Sequence, residues 1–472
     1  MTFMVPGAQF SRAFKEKRWN GKCCYLDFRT MCFPRGLYKI AYDCCRNWGF
    51  PLSVDEGVQE DLKPTPVANW AQFEASLNLP FPPRDYQTAQ ATTALAARKG
   101  IIVSPTGSGK SMTIYLIVRW LLENTKGAIL IVVPSKTLVS QMYEDFKSYG
   151  MSLIDAYAEK LYQGQEPTFR KRILITTYQS IMKREPEFFQ RYETLINDEA
   201  HSVKSAMLMK IAKCCSNARY RLGFTGTIPK EEVDKNNIFG VLGQQIYELK
   251  SKELMDEGVL SGIAIVNLFL RYSEVFRTKG SNRTYPEEVK LVEEAEERNA
   301  AFDFILGKIP SGQNTLVLFG HIEHLERTEE YLRGKYPDKR IEVIQGKTDV
   351  DERMDIKSAM EDEKDFVLLA TYGTMSTGVN IKRIHNIVFA ASSKSHIRVL
   401  QSIGRGLRLH ESKARLVLWD MIDDLSYLAR NGRVHLNYLM KHWNQRYQIY
   451  TEQNFQCYKK TLDLAKAISE QG

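Results

Sequence analysis

A short apolar run, Thr194 to Ile196, leads through Asn197 into two adjacent carboxylates, Asp198 and Glu199, with His201 just beyond. Neighbouring acids repel each other, and burial at the end of an apolar run raises the cost of keeping both ionised. The pattern asks for a cation or a reactive group to face them. A second stretch, IIVSPTGSGKS at 101–111, is a β-rich run that breaks into a glycine loop and then a helical pattern. Gly107 and Gly109 let the backbone turn so that its N–H groups wrap phosphates, with Thr106 and Ser108 completing the loop. The helix start beyond adds its positive end. Lys110 is spaced to reach the β- and γ-phosphates of a nucleoside triphosphate, and Ser111 to hold Mg²⁺ through its hydroxyl. Ser104 stands where the strict pattern has glycine. With such a loop upstream, Asp198 is expected to hold the same Mg²⁺ and Glu199 to orient and deprotonate the attacking water. ATP and Mg²⁺ are therefore the expected cofactors.

The elements that must position these residues follow from the hydrophobic pattern. From Asp85 onward, short Ile/Val/Leu-rich runs alternate with helix-length segments. IIVSP, AILIVVPS, RILITTYQS, TLINDEA and YRLGFTGT form one set; NTLVLFG, RIEVIQG, DFVLLATY, NIVFAAS and ARLVLWD form another. Continuous apolar strands separated by helices indicate parallel βαβ units, so two tandem α/β domains are expected, at 81–250 and 251–424. Residues 1–80 read as a small basic α+β module with a Pro-rich linker and one short helix around Trp70 to Leu77. Residues 425–472 read as a helical extension, in which Leu436, Leu439, Met440, Trp443, Tyr447 and Tyr450 recur at helical spacing as a packing stripe.

The 472 residues exceed one ordinary core, and the composition, 43% hydrophobic and 26% charged, is that of a folded protein. No apolar run approaches the roughly 18 residues of a membrane span, so a soluble, cytoplasmic protein is expected. The eight cysteines include three adjacent pairs, a spacing that suits reduced thiols better than a zinc site. The net charge of +9 is concentrated at the ends: residues 1–50 hold nine Lys and Arg against three acids, and residues 425–472 hold seven against three. Basic appendages around a nearly neutral centre point to a polyanionic partner, with Arg18 and Lys22 as candidate contacts.

The ordered motifs resemble those of the superfamily 2 helicases and translocases over residues 81–424. Asp198-Glu199-Ala200-His201 stands in the place of their DEAH box. RDYQ at 84–87 resembles the Q motif, which implies that Gln87 reads the adenine edge. VVPSKTLVSQ at 132–141 and ITTYQS at 175–180 are similar to motifs Ia and Ib, implying backbone contacts from Pro134, Ser135, Gln141 and Thr177. TGT at 225–227 resembles motif III, implying that His201, Thr225 and Thr227 couple nucleotide state to strand grip. ATYGTMSTGVN at 370–380 resembles motif V, with Thr371 and Gly378. QSIGRGLR at 401–408 resembles motif VI, implying that Gln401, Arg405 and Arg408 meet the γ-phosphate, Arg408 as an arginine finger. Outside these motifs, RWNGK, FPRGL, FLRYSEVF, RTYPEEVK, DMIDD and VHLNYLMKH are similar to the UvsW-type phage branch-migration helicases. The resemblance implies two RecA-like domains and an ATP-driven helicase or translocase on branched DNA in phage recombination, replication and repair. Replication or recombination proteins are its implied partners and the host cytoplasm its location. An RNA helicase, or an ATP-switched nucleic-acid-binding protein that does not unwind, are the alternatives.

Overall fold

The computed structural model describes residues 2–51, 53–162, 164–202, 205–279, 283–346, 348, 350–376, 381–392, 396–428 and 434–469. The chain divides into two compact units: Met1–Pro105 with Gly109–Leu249, and Lys250–Gly472 with Thr106–Ser108.

The first unit is built on a seven-stranded sheet whose neighbouring strands all run parallel. Its order across the sheet is Ala158–Leu161, Ile173–Thr177, Ala128–Val133, Tyr192–Asp198, Tyr220–Thr225, Lys99–Val103, Gln245–Glu248. Alternate residues of one strand point to opposite faces, so a strand covered on both sides must be apolar throughout. Ile129, Ile131 and Val133 enter one core with the helices Asp85–Ala97, Lys110–Asn124 and Lys136–Ser148; Leu130 and Val132 enter the other with Ile211, Ile238 and Phe239. That explains the uninterrupted AILIVV run.

The second unit repeats the plan with another all-parallel seven-stranded sheet: Ile341–Ile344, Val367–Thr371, Thr315–Phe319, Asn386–Phe389, Arg415–Asp424, Gly262–Arg271, Gln456–Asp463. The C-terminal helix spans Tyr438–Glu452 and buries Leu439, Met440, Trp443 and Tyr450, as a packing stripe should. It does not close the chain. Strand Gln456–Asp463 follows and pairs with Gly262–Arg271 at the sheet edge. The motif-external stretches DMIDD, RTYPEEVK and VHLNYLMKH meet here as structure. Arg446 makes a buried two-point ion pair with Asp420, at 2.8 and 2.9 Å, and Tyr450 donates to the same carboxylate at 2.9 Å. Buried Glu288 accepts the Tyr438 and Leu439 backbone N–H groups, at 3.1 and 2.8 Å, and the Asn437 amide at 2.8 Å, satisfying the start of the helix.

The N-terminal module consists of an antiparallel pair, Thr2–Met4 with Lys22–Cys24, and a helix, Tyr38–Asn47. Far from standing apart behind a linker, it is docked on the first sheet's helix Glu232–Leu242. The Tyr25 hydroxyl lies 2.8 Å from Val233 O and 2.9 Å from Asn237 Oδ1, Leu37 is fully buried, and Gln244 Nε2 donates to Gly36 O at 2.5 Å. Gly36 approaches Phe239 so closely that a Cβ would fall 1.8 Å from its carbonyl oxygen. Of the module's aromatics, Tyr25 is core, whereas Phe10 and Phe28 are exposed.

Candidate active site

Strand Lys99–Val103 runs into the glycine loop, and helix Lys110–Asn124 starts directly after it. Gly107 and Gly109 adopt φ of +90° and +80°, a region that side chains other than glycine's enter at a cost. At Gly109 space forbids a side chain as well: a Cβ would lie 2.5 Å from Gln87 Nε2. Gln87 is buried and linked to the loop, donating to Gly109 O at 3.4 Å while its Oε1 accepts from Arg84 N at 2.9 Å. Ser104, the departure from the glycine pattern, is absorbed by the fold. Its φ is not positive, and its hydroxyl accepts from Gln90 Nε2 at 3.2 Å, whose Oε1 in turn accepts from Thr113 at 3.1 Å. Lys110 Nζ donates to the Ser104 and Pro105 carbonyls at 3.2 and 3.4 Å and lies 3.8 Å from Glu199 Oε1. Ser108 is buried, and the Ser111 hydroxyl lies 2.8 Å from the Tyr149 hydroxyl.

Asp198 ends strand Tyr192–Asp198, two strands from the loop strand, and Glu199 follows it at φ +50°. A left-handed glutamate is backbone strain of the kind found at functional sites. Here it turns the chain so that Asp198 Oδ1 accepts from Glu199 N at 3.0 Å while both acids stay beside Lys110. Burial, then the charge of Glu199, pushes the Asp198 carboxyl up to about 7 against the pull of Lys110. Two acids that burial holds together in this way suit a divalent cation, and the Ser111 hydroxyl and the Asp198 carboxylate are oxygen donors of the kind Mg²⁺ takes. His201 Nδ1 lies 2.5 Å from Thr225 Oγ1 and 3.4 Å from Glu199 Oε2. The Thr225 hydroxyl proton goes to Thr227 O at 2.7 Å, so Nδ1 of His201 carries its own proton and donates. Burial holds the imidazole below its ordinary pKa and therefore neutral near pH 7.

Two family models match the chain: the Type III restriction enzyme res subunit over residues 80–230, and the helicase conserved C-terminal domain over residues 297–410. The ATP-dependent DNA helicase uvsW of Enterobacteria phage T4 is 30% identical over 98% of this chain and 94% of its own length. The chain belongs to the UvsW-type superfamily 2 helicases. It is an ATP-dependent helicase, and hence an ATP hydrolase. The DNA 3'-5' translocase XPB2 of Sulfurisphaera tokodaii is 27% identical over 72% of this chain and 83% of its own. Among solved structures, Mss116p bound to ssRNA and AMP-PNP is similar with a TM-score of 0.56 at 14% identity, covering 86% of this chain and 79% of that one, a likeness of fold alone.

In this helicase the expected nucleic-acid residues of the first unit lie at the carboxyl ends of strands Ala128–Val133 and Ile173–Thr177, the same end of the sheet as the glycine loop and the Asp198–Glu199 pair. Pro134 follows one of these strands, and Ser135 starts helix Lys136–Ser148, which carries half-buried Gln141. The hydroxyls of Ser135, Thr177 and Thr371 are committed locally: Ser135 accepts from Leu138 N at 3.3 Å, and Thr177 and Thr371 lie 2.9 and 2.8 Å from the hydroxyls of Ser180 and Thr374. Arg18 pairs with Glu16, and Lys22 is exposed on its strand. Gln401 and Arg405 lie on helix His396–Gly406, whose last carbonyl, Gly406 O, accepts from buried Lys413 Nζ at 2.7 Å. Arg408 follows, backbone-paired with Leu260. Gly378 lies outside the described residues. Sequence reasoning missed Tyr149 and the Gln90–Thr113 link. Both partners come from helices remote in sequence, so no local signal marks them.

Proposed function

We propose that this helicase acts on DNA, using ATP hydrolysis to unwind or branch-migrate forked and junction DNA. The observation that carries the reading is the cluster of Lys110, Asp198, Glu199, His201 and Thr225 at the carboxyl end of the central strands, in a chain matched over 98% of its length by a phage DNA helicase. In this reading Mg²⁺ is held by Ser111 and Asp198. Lys110 neutralises the β- and γ-phosphates, Glu199 takes the proton of the attacking water, and His201 passes the nucleotide state to the Thr225–Thr227 turn. Gln401, Arg405 and Arg408 supply charge to the transferred phosphoryl group. Thr106, Gly107, Ser108, Gly109, Gln87 and Gly378 line the nucleotide. Pro134, Ser135, Gln141, Thr177 and Thr371 line the strand, with Arg18 and Lys22 adding grip. The domains are taken as 1–80, 81–250, 251–424 and 425–472, and the setting as the host cytoplasm among recombination and replication proteins. No helix among the described residues is long and apolar enough to cross a membrane.

The test compares ATP turnover stimulated by single-stranded, duplex and forked DNA and by RNA. Forked DNA is expected to stimulate most; stimulation by RNA alone would overturn the assignment. Arg408→Ala is expected to lower saturated turnover roughly a thousandfold. A variant that only weakens ATP affinity would remove Arg408 from that role.

A further inference from the structure

Gly406 ends the helix His396–Gly406, and Arg408 stands two residues beyond it. The backbone of these residues is held at three points, all within the second unit. Leu407 O accepts from Ser261 N at 2.7 Å and from the Ser261 hydroxyl at 3.1 Å. Arg408 is backbone-paired with Leu260. Gly406 O accepts from Lys413 Nζ at 2.7 Å, and the same Nζ donates to Lys382 O at 3.3 Å. The segment that brings the lysine back to the helix end is itself tied down. Lys413 N donates to His410 O at 2.9 Å, and the Ser412 hydroxyl lies 2.8 Å from His410 Nδ1 and 2.9 Å from His385 Nε2.

Lys413 is only 6% exposed. Burying an ammonium is costly, and two neutral carbonyls offset less of that cost than a carboxylate would. An apolar side chain of similar length would fill the space at smaller cost to the fold, so the charge itself asks for a reason. The last carbonyls of a helix have no partner within it and carry the negative end of its dipole. A cation placed there holds the last turn more firmly than a neutral donor does. Here that turn leads directly into Arg408.

We propose that Lys413 is a positioning residue for ATP hydrolysis: its charged Nζ fixes the Gly406–Arg408 backbone and so sets where the Arg408 guanidinium meets the transferred phosphoryl group. The inference rests on the reading of Arg408 as an arginine finger. It also gives turnover a dependence on alkaline pH. Burial pushes the Lys413 ammonium down to about 8; the charge of Glu361, on helix Val350–Asp362, opposes that shift and the charge of Arg408 adds to it. Arg383, His385 and His410 are the other titratable groups of the cluster, and His385 is already neutral in this range. Losing the proton does not weaken the fold. An unfolded lysine titrates near about 10.4, so above about 8 the unfolded state binds the extra proton and this group's contribution to stability rises with pH. A fall in turnover over that range is therefore not unfolding.

Saturated ATP turnover with forked DNA, and the affinity of a labelled nucleotide, are measured from about pH 7 to 9.5 for the parent, Lys413→Met, Glu361→Gln and Arg408→Ala. Parental turnover is expected to fall about tenfold or more through a midpoint near 8 and then level off. Lys413→Met is expected to begin at that lower level and stay flat, with nucleotide affinity unchanged. Glu361→Gln keeps an oxygen that accepts from Lys382 N but removes a charge that favours the ammonium. Its midpoint is expected to move down by ~0.5 pH unit, a shift that decides the matter even if Lys413→Met does not fold. An alkaline fall that persists in Lys413→Met, or keeps its midpoint in Glu361→Gln, would overturn the proposal. So would parental turnover in Lys413→Met, or a loss confined to nucleotide affinity. Arg408→Ala separates the two readings: intact saturated turnover there removes the arginine finger itself, whereas a loss there without one in Lys413→Met removes only the positioning role.

Discussion

At the scale of single residues, the proposed chemistry turns on Glu199 and its neighbours. Its left-handed backbone keeps its carboxylate between Lys110 Nζ, 3.8 Å away, and His201 Nδ1, 3.4 Å away. Glu199→Gln preserves that shape and removes the proposed general base. Turnover is expected to fall about a hundredfold or more while ATP binding, followed by fluorescence of a labelled nucleotide, is retained; near-parental turnover would mean that the water is activated elsewhere. Thr225 has a different task. Its hydroxyl accepts from His201 and donates to Thr227 O, so one atom joins the DEAH histidine to the turn after the neighbouring strand. Thr225→Val is expected to reduce unwinding per ATP hydrolysed by several fold, in line with the 0.5–1.5 kcal/mol of a typical hydrogen bond, with smaller loss of ATP turnover. An equal fall in both rates would place Thr225 in the chemical step.

At the scale of elements, His385 joins three segments of the second unit. Its Nδ1 accepts from Asn314 N at 2.9 Å, just ahead of strand Thr315–Phe319, and its Nε2 lies 2.9 Å from the Ser412 hydroxyl. An imidazole that accepts at Nδ1 must be neutral. Burial pushes its pKa down to about 4, with the charges of Lys413 and Arg383 acting in the same sense. In the unfolded chain the group titrates near 6.5, so between these values the unfolded state binds the extra proton. Stability therefore rises with pH through that window and is lost on acidification from about 6.5 towards 4. Urea unfolding at a series of pH values is expected to show this slope, and His385→Asn, which keeps an acceptor without the titration, is expected to flatten it. An unchanged slope would assign the acid sensitivity to other groups.

For the whole molecule, the decisive contact within the first unit is the docking of the N-terminal module on helix Glu232–Leu242. Tyr25 and Leu37 share one buried cluster with Ile211, Ala212, Ile238 and Phe239. Removing residues 1–50 therefore uncovers part of the first unit's own core, and the separable basic module suggested by charge alone gives way to an integral one. Gly36→Ala probes the joint with one methyl group, since its Cβ would collide with Phe239 O. Overpacking of this kind costs about 1–3 kcal/mol. The variant is expected to melt several degrees lower and to become sensitive to proteolysis near residue 50. Parental melting would mean that the module contributes little to the fold.

The segments proposed to carry the chemistry stand out in the sequence because each is local. The glycine loop, the Asp198–Glu199 pair and the all-apolar strands announce themselves within a dozen residues, and two sets of such strands indicate two parallel sheets, since only a strand buried on both faces has no need of polar alternation. Tertiary structure alone decided the rest. Gln456–Asp463 is largely exposed, with Tyr458, Lys459 and Lys460 along it, so its sequence carries no buried-strand pattern, and only the free edge of Gly262–Arg271 makes it a strand. Tyr149 reaches Ser111 from 38 residues away, and Glu288 reaches the start of the C-terminal helix from about 150. The fully buried amide of Asn236, with neither atom paired, belongs in the same class. Nothing in KNNIFG marks one asparagine as satisfied and its neighbour as not, because that depends on where Tyr25, 212 residues from Asn237, comes to rest. Spacing along the chain records what one strand, loop or helix must do, whereas partners that meet across a core are chosen by packing, which no local window contains.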